Sequence, residues 1–429
     1  MRHIARAAAV LAAPLLAILV VIGCGGGPAP PPDDLAERID ALFAPWSDDG
    51  SPGVAVMVLR DGAVLHAAGY GVAELETGER ITPETTFDLA SVSKQFTAAA
   101  VLLLAERGQL SIDDPMVAHL PELARFGEGV TLRHLLTHTS GLPDYYEALE
   151  AAALADGSRP DTAAAMRFLA AWDAPPLFAP GGRWEYSNPG YELLALVVER
   201  VSGQRFGAFL EESIFRPLEM AGTVVRDSTE PAIAHRARGY ARREGGFELL
   251  DDHHLNHIIG SGSVFSSVAD LARWDRALDE GTLLSRQSLD AAWTPVKLSD
   301  GTTEPYGLGW QLGSYPGLGP RVHHSGHWLG FSTYMARYPE RRLTVVVLSN
   351  LEDFASQELA GRVVDLLVPT TLIENAAVVD GTGKPAFSGD LRIAGGRIAA
   401  VGELEAQPGE PVVDARGLVL APGFIDSHS

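Results

Sequence analysis

Apolar and polar positions follow three rhythms along this chain, and each predicts a type of element. From Phe96 to Ala105 the text is almost unbrokenly apolar (FTAAAVLLLA), and Gly108 follows as a stop. Ala and Leu favour helix, so Phe87–Gly108 is read as carrying one, buried because it offers so little polar surface. Apolar positions recurring every three to four residues predict helices over Asp34–Phe43, Ala163–Trp172, Tyr191–Ser202, Ser267–Leu278 and Phe354–Val368. Val130–Leu142 (VTLRHLLTHTSGL) reads as a further packed helix ending in a Thr-Ser-Gly turn.

Strand signals fall at both ends of this helical stretch. Gly53–Arg60 and Ala63–Gly71 flank Asp61-Gly62, a strong hairpin signal, and Phe331–Tyr338 and Leu343–Ser349 flank Pro339–Arg342. Shorter strand-like pieces lie at Tyr306–Leu312 and Arg321–Ser325. A domain that opens with helix and hairpin and closes with hairpin and helix predicts an α+β fold. It has one antiparallel sheet flanked by helices and a mostly helical lobe inserted between. Beyond Pro369 the helical rhythm stops. Leu372–Val379, Asp390–Ile393, Arg397–Val401 and Val412–Val413 predict a small all-β unit over residues 371–429, separate from the domain at 34–368.

Composition narrows the function. Of 429 residues 46% are hydrophobic, enough for a large core, and the net charge of −22 argues against nucleic acid or an anionic lipid surface as the main partner. The one cysteine, Cys24, excludes an internal disulfide. It follows Arg2, Arg6 and the apolar run Ala7–Ile22, and this arrangement resembles a bacterial lipoprotein signal. The expectation is a signal peptide over residues 1–24, lipidation of Cys24, and a Gly/Pro tether over 25–33. The protein would then be exported and held at the membrane, facing the periplasm or cell exterior. An uncleaved anchor or an ordinary secretory signal is the other reading.

Chemistry concentrates at Ser91 and Lys94. Three residues apart on a helix, they share a face. A serine there can simply cap the helix. A lysine entering a buried helix is harder to dismiss, since burial penalises its charge unless it is paired or its pKa falls. The chain has only three lysines, Lys94, Lys297 and Lys384. His134 and His138 lie four apart without an acidic third ligand, and Asp251–His257 (DDHHLNH) fits no familiar zinc spacing. No metal and no cofactor are expected.

Three motifs then line up in order: Ser91-Val92-Ser93-Lys94, Tyr186-Ser187-Asn188 and His324-Ser325-Gly326. Together they resemble the serine β-lactamase and penicillin-binding superfamily, most closely its class C β-lactamase-like branch of DD-peptidases, D-aminopeptidases and esterases. The resemblance implies a β-lactamase/transpeptidase-like fold over residues 34–368 and an acyl-enzyme on Ser91. Lys94 and Tyr186 would carry the proton, and Asn188 would hold Lys94 and the substrate amide. The N–H groups of Ser91 and His327 would form an oxyanion hole, with His324, Ser325 and Gly326 lining the substrate. His324 stands where the family often has lysine, which implies a weaker, pH-dependent grip on a substrate carboxylate and favours peptides or esters over β-lactams.

Residues 375–429 resemble the opening of a D-aminoacylase-type amidohydrolase, and Gly423–Ser429 matches all but the last histidine of its Gly-Phe-Ile-Asp-x-His-x-His strand. The expectation is an exported serine hydrolase acting on D-amino-acid amides, peptides or small esters. Its rivals are the front of a metal-dependent N-acyl-D-amino-acid deacylase and a non-catalytic peptidoglycan-binding module.

Overall fold

The computed structural model describes residues 34–421, apart from 128, 396, 408 and 409. The leader with Cys24 and the stretch Gly423–Ser429 therefore lie outside the described residues. Among the described residues no helix is long and apolar enough to cross a membrane.

Six strands build the main sheet: β1 (Val54–Arg60), β2 (Ala63–Tyr70), β3 (Gln311–Tyr315), β4 (Gly319–Trp328), β5 (Phe331–Tyr338) and β6 (Leu343–Ser349). They run antiparallel in the order β3-β4-β5-β6-β1-β2, so the two hairpins meet where β1 lies against β6, Val54 opposite Ser349. Side chains alternate between the faces of a strand. Val54, Val56 and Val58 thus pack on one layer, with α1 (Leu35–Phe43), while Ala55, Met57 and Leu59 pack on the other. Layers cover both faces, and β1 is buried from Val54 to Leu59.

The second layer is the helical lobe. At its centre is α2 (Lys94–Glu106), buried from Lys94 to Leu104. Around it lie α3 (Leu132–Leu136), α4 (Tyr146–Asp156), α5 (Thr162–Ala171), α6 (Asn188–Ser202) and α7 (Val268–Glu280), and α8 (Ser356–Asp365) covers the first face with α1. The helix α6 packs against α2. Its start is fixed by Ser187, whose hydroxyl accepts the Gly190 N–H, and its end by Gly203 at φ 71°.

Three elements differ from the sequence pattern. The helix expected over Val130–Leu142 is only α3. Thr131 and His134 cap it reciprocally, and the backbone leaves the helix before His138, which takes φ 59°. The strand expected at Tyr306–Leu312 forms later, at β3, because Gly309 turns the chain at φ 81°. The closing helix is shorter than Phe354–Val368 at both ends.

The tail forms β7 (Thr370–Val378), β8 (Phe387–Ala394), β9 (Arg397–Gly402), β10 (Val412–Asp414) and β11 (Val419–Leu420) in one sheet. Here β8 and β9 add antiparallel, while β10 and β11 run parallel beside β7. Its buried apolar cluster is small, Ala376, Val378 and Ala415, and Ile398, Val412 and Val419 stay exposed.

Candidate active site

Ser91 sits in a tight 3-10 turn, Ala90–Ser93, that runs straight into α2. Ala90 adopts φ 47°, an uncommon conformation for alanine, and its N–H is held by the Asp88 carboxylate at 2.8 Å. Ser91 does not cap the helix: neither the turn nor α2 has a side-chain cap, and Ser93 instead accepts the Val264 N–H at 3.2 Å. The hydroxyl of Ser91 is left for another partner.

That partner is Lys94. Its ammonium nitrogen lies 3.0 Å from Ser91 Oγ, 2.8 Å from Asn188 Oδ1 and 2.9 Å from the carbonyl oxygen of Ser261, with the side chain fully buried. All three contacts are neutral oxygens. Burial pulls the Lys94 pKa down from 10.5 to about 7, against the opposing field of Glu192. Near neutrality this amine can therefore hold or release a proton beside a serine hydroxyl, the requirement for activating a nucleophile.

Tyr186, just ahead of α6, joins Ser91 and Lys94. Its phenol is hydrogen-bonded with Ser91, and burial pushes its pKa up, so it stays protonated. Lys94 Nζ lies 4.8 Å from the centre of its ring. His138 packs at 4.4 Å between centroids on Tyr186 and accepts the Ser187 N–H at 3.1 Å, which explains its left-handed backbone. His134 is occupied instead in the cap of α3, so the two histidines share no site.

On the far wall runs β4. His324 is 1% exposed, its Nδ1–H donates to the Ser325 carbonyl at 2.7 Å, and its Nε2 accepts from the Tyr306 hydroxyl at 3.0 Å. Burial and the nearby Lys94 push its pKa down to about 3. The geometry gives His324 no charge with which to hold a substrate carboxylate, contrary to the pH-dependent grip expected from its motif position. Ser325 meets the site through that carbonyl. Gly326 is demanded by close approach, since a Cβ there would stand 2.3 Å from the Leu89 carbonyl and 3.0 Å from Ser91 N. His327 is exposed and borders an open cleft of about 430 Å³ together with Ser91, Asn188, Tyr146, Leu255, Ile258, Ser261 and Trp328.

Ser91, Lys94, Tyr186, Asn188, His324, Gly326 and His327 thus gather from three separate stretches of chain. The Asp251–His257 loop does not form a cluster of ligands: His253 pairs with Glu150 and His257 with Glu230, each at 2.8 Å. Sequence reasoning missed Tyr146, Ser261, Tyr306 and Glu192. Of these only Glu192 left a signal, a lone acid in the apolar run Tyr191–Val198.

Comparison with known proteins agrees with this geometry. The Beta-lactamase family profile matches residues 35–368. Penicillin-binding protein 4* of Bacillus subtilis is 35% identical over 76% of this chain and 74% of its own length. A D-aminopeptidase of Gluconobacter oxydans is 31% identical over 74% of this chain and 59% of its own. Among solved structures, a penicillin-binding protein homologue from Pyrococcus abyssi superposes with a TM-score of 0.67 at 30% identity, covering 78% of this chain and 76% of that one. With its profile spanning most of the sequence, and with Lys94 and Tyr186 gathered at the Ser91 hydroxyl, the chain belongs to the β-lactamase family of serine hydrolases.

Proposed function

We propose that this protein hydrolyses D-amino-acid amides or peptides, or small esters, through an acyl-enzyme on Ser91. The observation that carries the reading is the 3.0 Å contact between Ser91 Oγ and a buried Lys94 whose pKa has fallen to about 7. The neutral amine takes the Ser91 proton, directly or through the Tyr186 phenol, as Oγ bonds to the substrate carbonyl carbon. Negative charge forms on the carbonyl oxygen, where the N–H groups of Ser91 and His327 receive it; one such donor is worth about 3–4 kcal/mol in a serine protease. As the intermediate collapses, the C–N or C–O bond breaks and the leaving group takes the proton from Lys94 or Tyr186. Water then repeats the sequence on the ester and frees Ser91.

Two features support this substrate class. The D-aminopeptidase relative points to D-amino-acid derivatives. The cleft also has no lysine or arginine among its described lining residues, and His324 is neutral. The free carboxylate that a penicillin carries finds no lysine or arginine among those lining residues, so esters, amides and peptides rank above β-lactams. We further propose, from the lipoprotein-like leader alone, that the enzyme works outside the cytoplasm, anchored through Cys24.

Intact-protein mass spectrometry after exposure to a fluorophosphonate and to a penicillin tests the reading. One adduct is expected with the fluorophosphonate, less with penicillin, and none on Ser91→Ala. A wild type that takes no fluorophosphonate, or a Ser91→Ala protein that still takes it, would sink the proposal.

A further inference from the structure

Asn188 and Glu192 are four residues apart on α6, so they project from one face of that helix. Asn188 reaches Lys94 directly, at 2.8 Å. Glu192 reaches it through one residue: the Ser261 hydroxyl donates to Glu192 Oε1 at 2.9 Å, and the Ser261 carbonyl accepts from Lys94 Nζ at 2.9 Å. The carboxylate is fully buried. Two more hydroxyls point at it, Tyr146 to Oε1 at 2.5 Å and Tyr145 to Oε2. Both Tyr146 and Ser261 line the substrate cleft.

We propose that Glu192 is a positioning residue for the reaction, acting through Ser261 to hold the Lys94 amine against Ser91 as a proton acceptor. The proposal rests on the acyl-transfer reading above and adds what makes the lysine fit for it. Burial raises the Glu192 pKa, while the hydroxyls of Tyr145, Tyr146 and Ser261 and the charge of Lys94 oppose that rise. Three donors aimed at two oxygens favour the ionised form.

The other groups facing Lys94 carry no compensating charge. His138 and His324 are kept neutral by burial, and the phenols of Tyr186 and Tyr191 are pushed up by it. Among the described residues, Glu192 is the carboxylate whose field reaches the amine. A fully buried lysine without it would be a weaker base, less able to take the serine proton. The competing explanation is that Glu192 merely ties α6 to Tyr145 and Tyr146. That role would change stability and leave the titration of the amine where it was.

The test is the isosteric Glu192→Gln in the full chain, with two readouts. In the pH profile of kcat/KM for a small neutral ester, the acid limb should move down by on the order of one to two pH units. The plateau should fall about three- to tenfold as the base weakens. Glu192→Asp should bring the limb back toward wild type. Independently of turnover, the side-chain resonances of the three lysines can be followed by NMR against pH, with Lys94 assigned through Lys94→Met. The Lys94 midpoint should fall in Glu192→Gln. A limb and a midpoint both unmoved would overturn the proposal, even if the variant is less stable. Should Glu192→Gln not fold, Tyr146→Phe, which removes one donor from the carboxylate, should lower the Lys94 midpoint by a smaller amount; an unchanged midpoint there would overturn it too. Absence of any Ser91 adduct in the wild type would refute the acyl-transfer reading instead, and the NMR midpoints would still report on Glu192.

Discussion

Among the described residues a lysine and an arginine lie fully buried, and they are treated in opposite ways. Arg337 on β5 is 1% exposed and bonded to Asp275 at 2.5 Å and to Asp279, both on α7. Thr344 on β6 donates to the same Asp275 at 2.7 Å. Lys94 on α2 is equally buried, yet every direct partner is a neutral oxygen and its nearest carboxylate, Glu192, stands behind Ser261. Arginine keeps its proton at any working pH, so its carboxylates make a fixed latch between helix and sheet. Lysine can lose its proton when burial is only partly compensated. A tight ion pair gives structure; a loosely compensated amine gives proton chemistry.

The largest expected effect breaks the second half of this contrast. Lys94→Ala should lose several orders of magnitude in the rate of Ser91 acylation, and Lys94→Arg should fail as badly, because a guanidinium cannot accept the serine proton. Stopped-flow acylation with a fluorogenic ester measures both, and near-normal turnover in the arginine variant would remove Lys94 from the mechanism. Next in size is the latch. Asp275→Ala leaves Arg337 short of one partner and should cost about 3–5 kcal/mol in denaturant unfolding. The activity of the protein that remains folded should stay at the wild-type level. A large loss of turnover at unchanged stability would show that the two cations are not separable.

The contrast also fixes a pH dependence. The base must be unprotonated, so kcat/KM should rise with pH through about 7, the Lys94 value, and level off above it. For stability the sign follows from the folded value of about 7 lying below the ordinary 10.5. Between these limits the unfolded chain binds the extra proton, so stability climbs with pH by up to about 1.4 kcal/mol per unit. Lys94→Met should therefore be more stable than wild type at pH 7, by a margin that shrinks toward pH 10.5. Thermal melts across that range decide it; a margin that grows with pH would refute the assignment.

The contrast also shows what a sequence can reveal. Ser91 and Lys94 are three residues apart where a 3-10 turn runs into α2, so their meeting was a local consequence of helical spacing. The two hairpins that meet within the sheet were likewise legible, because they announce themselves through turns and alternation at the two ends of the domain, whereas the strand read at Tyr306–Leu312 was placed too early. Compensation of charge is tertiary, and it was harder to see. Glu192 stood out only as an acid within an apolar run, with nothing to say that Tyr145, Tyr146 and Ser261 would surround it. Asp275 left a similar trace, lying among Leu271, Trp274 and Leu278 on the buried face of α7. The true state of His324 was out of reach, since its neutrality depends on burial and on Tyr306 and Lys94 arriving from other elements.

The smallest effect is expected from the tail. It has its own ion pair, Arg392 with Glu410 at 2.8 Å, and the guanidinium pulls that carboxyl down to about 2. Unlike the Arg337 latch, this pair joins tail to tail. The buried apolar cluster beneath it has three residues, too little for a robust independent fold. The tail approaches the main domain where Gly317 meets Gly395 beside Val368, and none of its described residues lines the cleft. We therefore propose that residues 34–368 are the catalytic unit. A chain ending at Val368 should keep full esterase activity and melt within a few degrees of the whole protein, and a chelator should change neither. Limited proteolysis should cut near Pro369 first, at the exposed join between the two sheets. Loss of turnover on truncation, or a fall in Tm beyond about 10 °C, would mean that the tail's ion pair stabilises the catalytic domain as the Arg337 latch does.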